Sequence, residues 1–104
     1  MARRHAVQMT INREQVANFC RQNQIRRLAL FGSVLRDDFR PDSDVDVLVE
    51  FEPGACVGFI RLAGMEARLS AILGRSVDLR TPADLSRYFR QDVLDAAEVL
   101  YERE

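Results

Sequence analysis

Leu28-Ala29-Leu30-Phe31-Gly32-Ser33-Val34-Leu35-Arg36-Asp37-Asp38-Phe39-Arg40-Pro41-Asp42-Ser43-Asp44-Val45-Asp46-Val47-Leu48-Val49-Glu50-Phe51 is an apolar run, a Gly-Ser break, a polar connection and a second apolar run opened by paired acids. The second run alternates: Val45, Val47, Val49 and Phe51 point one way, and Asp44, Asp46, Leu48 and Glu50 the other, as in a strand with one buried face. The first run, residues 25 to 31, also reads as a strand. Both aspartates therefore share the polar face of a sheet, close to the Gly-Ser break if the two strands pair.

Outward from this stretch, Asn12 is placed to cap a helix, with Gln15 reaching back and Ile11 stapling onto Val16. That helix should run to about Asn23 with Val16, Phe19 and Cys20 facing the core. After a Glu-Pro-Gly turn at 52 to 54, Phe59, Leu62, Met65/Glu66, Leu69, Ile72 and Leu73 recur at helical spacing until Gly74 supplies a stop. Ser76 to Arg80 reads as a short third strand, Val77 and Leu79 inward and Asp78 outward. Thr81-Pro82 is an N-cap and first-turn pair, and Val93, Leu94, Ala97, Leu100 and Tyr101 predict a final amphipathic helix. The order argues an α/β fold in one domain over residues 1–104, with residues 1 to 9 as a loose arm.

A chain of 104 residues buries roughly two thirds of the surface exposed by its unfolded form, enough for one modest core. Apolar residues make up 47% and charged residues 30%, a globular rather than a disordered composition. A formal net charge of -1 provides no global basic field, so strong direct nucleic-acid binding is not expected. All 15 basic residues are arginine, which excludes lysine Schiff-base chemistry and a P-loop lysine. Cys20 and Cys56 form no C-x-x-C pair and His5 is the sole histidine, which argues against a zinc site and predicts a buried thiol at each cysteine. With no secretory signal and no membrane-spanning apolar run, the expected setting is the cytoplasm.

Paired carboxylates two apart on a strand lie roughly 6 to 7 Å apart at Cα and can converge on one divalent cation. Without one they repel by only about 0.6 kcal/mol in water, but by roughly 2.5 kcal/mol at an effective dielectric near 20. Gly32 lets the backbone approach a ligand, and Ser33 opens the next short helix or turn with a hydroxyl and a backbone N–H, a natural phosphate seat. Asp78 could supply a third carboxylate, and Arg36 a phosphate contact. Separately, Gly-Ser is ordinarily a turn and aspartates at a strand start are ordinarily solvated; the combination, with Asp78 following, points to a site. Asp42-x-Asp44-x-Asp46 also suggests a calcium loop, but that loop needs glycine where Val47 stands and glutamate where Pro53 stands.

Gly-Ser, ten residues, Asp-x-Asp, as in Gly32, Ser33, Asp44 and Asp46, resembles the signature of the minimal nucleotidyltransferases of the DNA polymerase β superfamily. The resemblance extends from the first strand through Val77-Asp78-Leu79 to the closing Val-Leu-Tyr segment, with Asp78 at the third acidic position. It implies a small palm-like sheet of about three or more strands backed by helices. It also implies Asp44, Asp46 and Asp78 as catalytic carboxylates and ligands of magnesium, two ions in such a site, with Gly32, Ser33 and Arg36 holding ATP. Many relatives carry glycine where Asp37 follows Arg36, which bears on the turn and on Arg36 rather than on the acids. Such short chains are similar to the antitoxins of toxin–antitoxin pairs with an all-helical HEPN ribonuclease. The implied reaction transfers AMP from ATP to a tyrosine hydroxyl of that partner in a hetero-oligomer and silences it. Neutralisation by binding alone, and nucleotide transfer to RNA or a small molecule, are the alternatives.

Overall fold

The computed structural model describes residues 11–35 and 43–103. Asn12 stops the backbone in an extended conformation and its Oδ1 accepts from the Gln15 N–H at 3.0 Å, so a helix, α1, runs over Arg13–Gln22. Its Val16, Phe19 and Cys20 are buried. The chain then turns through Gln24, at φ 59, into strand β1, Ile25–Phe31. A 3-10 turn over Gly32–Leu35 follows.

Strand β2, Val45–Phe51, pairs antiparallel with β1, placing Phe31 opposite Asp46 and Leu30 opposite Val47. Helix α2, Phe59–Leu73, ends at Gly74 in the left-handed region, φ 69. Strand β3, Val77–Arg80, joins β2 in parallel, with Asp46 opposite Asp78. Thr81 then closes a capping box with Asp84 around a short 3-10 turn. Helix α3, Arg90–Ala96, leads directly into β4, Glu98–Glu102, which pairs antiparallel with the other edge of β1. The sheet order is β3-β2-β1-β4.

Alternation divides this sheet into two faces. Leu28, Leu30, Val45, Val47, Val49, Val77 and Leu79 pack against Val16 and Phe19 of α1 and Met65, Leu69 and Leu73 of α2 in one buried cluster. The second face carries Phe31, Asp46 and Asp78 in one cross-strand row, and Ala29, Leu48 and Arg80 in the next. The outer edge of β3 is closed by α2: Val77 N–H donates to Ser70 Oγ at 3.0 Å and Leu79 N–H to Glu66 Oε2 at 2.8 Å. Groups that would otherwise recruit another strand are thereby satisfied.

Three expectations are corrected. Residues 93 to 101 are not one helix, since α3 ends at Ala96, Ala97 is extended, and residues 98 to 102 form β4. Hydrogen bonds to the free edge of β1 outweigh helical spacing in a Val-Leu-Tyr segment of good strand formers. Phe59 is 91% exposed rather than part of the core stripe. Phe59 is the first residue of α2, whose buried residues, Met65, Leu69 and Leu73, all come later in the helix. Cys20 is buried as expected, but Cys56 is exposed, because it lies in the connection between β2 and α2, and connections run over the surface.

Candidate functional site

Gly32 follows the last residue of β1 at φ +77, a conformation that an L side chain resists. A Cβ on it would fall onto the Asp46 Oδ2 and lie 3.2 Å from Cγ. The glycine is thus required twice over, for its backbone angle and because its backbone lies against the Asp46 carboxylate. Close approach of the Gly-Ser turn to the Asp-x-Asp strand, an expectation from order along the chain, becomes an atomic contact between backbone and carboxylate.

Asp44 is exposed just ahead of β2, and the segment holding it is tied to the α2–β3 connection on both sides. Arg75 Nη2 donates to the Ser43 carbonyl at 3.3 Å, and Val45 N–H donates to the Ser76 carbonyl at 2.8 Å. Asp46, half-buried, stands between Phe31 of β1 and Asp78 of β3. Adjacent strands are about 4.8 Å apart, so the parallel register brings Asp46 and Asp78 side by side. Ser33 lies in the 3-10 turn directly after Gly32. Arg36 lies outside the described residues, as do His5, Asp37, Arg40, Asp42 and the arm at 1 to 9.

Asp78 has a partner that the motif does not announce. Arg80 Nε donates to its Oδ1 at 3.1 Å and Nη2 to its Oδ2 at 3.0 Å, a two-pronged ion pair. Hydrogen bonding to Asp78 raises the Arg80 pKa above its ordinary value, followed by the Asp78 charge; Asp84 and Asp46 act in the same direction. One guanidinium therefore sits in the field of three carboxylates. Its spacing is the signal that could have revealed it, since residues 78 and 80 share a face on any strand. Glu50, on the same face, is engaged elsewhere, with Arg26 at 2.9 Å and Arg27 at 3.3 Å.

The donor set suits a hard cation. Asp44 and Asp46 offer carboxylate oxygens, and magnesium is held by one or two carboxylates together with substrate phosphates. The Gly32 backbone leaves room against Asp46 that any side chain would fill. Among the described residues no three His, Cys, Asp or Glu side chains converge closely enough to hold an ion by themselves, and Asp78 is drawn to Arg80.

Next to Gly32 a cleft of about 360 Å³ opens between the end of β1 and α3, lined by Phe31, Leu35, Phe89, Asp92, Val93 and Ala96 as well as the glycine. Sequence alone does not announce it, because its two walls, the end of β1 and α3, meet only in the fold. No described helix is long and apolar enough to cross a membrane.

The family model of the nucleotidyltransferase domain matches residues 13–100. The protein adenylyltransferase MntA of Thermococcus cleftensis is 36% identical over 77 residues, 74% of each chain. Among solved structures, a chain of a toxin–antitoxin complex with AMP-PNP has a TM-score of 0.71 at 22% identity, over 90% of this chain and 76% of that one. A chain of the complex between tri-AMPylated Shewanella oneidensis HEPN toxin and MNT antitoxin has a TM-score of 0.62 at 22% identity, over 86% and 69%. At these identities the structural likeness is one of fold.

Proposed function

We propose, from the premise that this chain belongs to the nucleotidyltransferase domain family, that it transfers AMP from ATP to a tyrosine hydroxyl of a HEPN-type ribonuclease toxin and so neutralises it. The observation that carries the reading is the Gly32 backbone lying against the Asp46 carboxylate, with Asp78 in register beside it. The adenylyltransferase activity named for the 36% identical relative supports the donor chemistry. Toxin–antitoxin complexes of the same fold support a toxin as partner.

In this reading the Gly32-Ser33 turn, with Arg36, seats the triphosphate. Asp78 orients the acceptor hydroxyl and takes its proton, the hydroxyl oxygen bonds to the α-phosphorus, and the anhydride bond to the β-phosphate breaks to release pyrophosphate. Magnesium held by Asp44 and Asp46, with Asp78 beside them, would neutralise the phosphates and the leaving pyrophosphate. Arg80 has to release Asp78 for this role. The toxin–antitoxin complexes of this fold favour an acceptor that arrives as a folded partner in the cytoplasm.

Labelled ATP, Mg²⁺ and the toxin encoded next to this chain provide the test. Label should pass to the toxin, and an Asp44→Asn/Asp46→Asn variant should transfer none; equal labelling by that variant would refute the proposal. A second reading, neutralisation by occlusion with the acids as remnants, is favoured by one observation, the engagement of Asp78 by Arg80. It predicts that the same variant still protects cells from the toxin.

A further inference from the structure

We propose that the cleft between α3 and the end of β1 receives the nucleobase of the donor nucleotide, with Phe89 as its stacking surface and Asp92 selecting a base that carries an exocyclic amino group. The inference rests on the nucleotidyltransferase reading and deepens it by assigning the part of the nucleotide that the Gly-Ser and Asp-x-Asp residues do not address.

Position is the first argument. Gly32 lines the cleft and also lies against Asp46, so a ligand whose phosphates rest at the glycine turn has this cavity within reach of its other end. Phe31, the cross-strand partner of Asp46, forms part of the same wall. At about 360 Å³ the cavity falls within the roughly 300–1,000 Å³ of ordinary ligand sites.

Composition is the second argument. The walls are Phe31, Leu35, Val93 and Ala96, flat and apolar, and Phe89 stays 64% exposed at their side. An exposed ring beside an apolar slot is a platform on which any base face can stack. Among the described residues of this apolar lining the single charged group is Asp92. Asp95, on the same helix, is engaged with Gln91. An ionised carboxylate only accepts hydrogen bonds, so it favours the 6-amino group of adenine and opposes the 6-oxo group of hypoxanthine.

The test compares ATP, ITP and inorganic tripolyphosphate binding to the full chain with Mg²⁺ by titration calorimetry. Wild type should bind ATP roughly tenfold tighter than ITP, and Asp92→Ala should remove that preference by weakening ATP roughly tenfold. Phe89→Ala should weaken both nucleotides by roughly tenfold. Neither variant should alter tripolyphosphate binding, and both should melt as wild type does, because both side chains are exposed. Unchanged ATP and ITP affinities in both variants, with tripolyphosphate still bound, would overturn the base assignment and leave the transferase reading intact. Wild type that binds neither ATP nor tripolyphosphate would overturn both. Normal ATP binding by the variants with lost labelling of the toxin would hand the cleft to the acceptor and likewise overturn the assignment.

Discussion

Gly32→Ala should damage this protein through two separable effects, and the structure supplies the control that divides them. Gly32 and Gly54 both have positive φ, +77 and +86, but a Cβ at Gly54 meets nothing within 4 Å, whereas one at Gly32 falls onto the Asp46 carboxylate. Alanine in the left-handed region costs about 1–2 kcal/mol, and overpacking adds roughly 1–3 kcal/mol. Gly54→Ala should therefore lose about 1–2 kcal/mol and Gly32→Ala about 2–5 kcal/mol. At roughly 4–8 °C per kcal/mol for a domain of this size, Gly32→Ala should melt well below Gly54→Ala.

Asp46→Ala removes the atoms that clash, so Gly32→Ala/Asp46→Ala should lose less than the sum of the single changes by about 1 kcal/mol or more. Pairs without shared contacts add within about 0.3–0.5 kcal/mol, which makes the coupling measurable by urea unfolding of the four proteins. Additivity within that margin, or equal melting of Gly32→Ala and Gly54→Ala, would show that the glycine does not press on the carboxylate. The structural basis of the proposed site would then be gone.

Arg80→Gln removes the cation that engages Asp78 and should raise the affinity for Mg²⁺ alone roughly two- to fivefold, the scale of an exposed ion pair; a calorimetric titration showing weaker binding would contradict this. Glu66→Ala leaves the Leu79 N–H without its acceptor and should cost about 1–2 kcal/mol, with faster amide exchange at Leu79 as the specific readout. Burial raises the Cys20 thiol from 9.0 to about 12, against a smaller lowering by Arg21. The unfolded thiol ionises first, so stability is full below pH 9 and falls, by up to roughly 1.4 kcal/mol per pH unit, as pH climbs through that window. Cys20→Ala should flatten that slope. At neutral pH iodoacetamide should modify the exposed Cys56 and spare Cys20.

Local chemistry made much of the fold readable. Asn12 and Gly74 mark ends of helices where they were expected, and alternation in β2 and β3 identified the buried face. Glu98 to Glu102 defeated the same logic because Val99, Leu100 and Tyr101 suit either period, and the deciding partner, β1, lies some seventy residues earlier in the chain. The aspartates shared a face by alternation alone. The parallel register that sets Asp78 beside Asp46 did not follow from either segment, because it depends on how α2 returns the chain to the sheet edge. The cleft at α3 was hidden for the same reason, since its walls come from β1 and α3, far apart in sequence, whereas the Asp78–Arg80 pair was legible in its i, i+2 spacing.

The division of the sheet also determines what loss of the acids can reveal. Core burial comes from Val45, Val47, Val49, Val77 and Leu79 against α1 and α2, whereas Asp46 and Asp78 stand on the other face and Asp44 is exposed at its rim. Exchange of Asp44 and Asp46 for asparagine keeps volume and removes like charges whose repulsion is about 0.6 kcal/mol in water, so the fold should persist. The apolar surfaces of Phe59, Ile60 and Tyr88, each at least 77% exposed, are untouched by that exchange. A variant that folds, retains its partner and transfers no AMP isolates chemistry from contact. Protection of cells by such a variant would then have to come from occlusion, and its failure from the missing transfer of AMP.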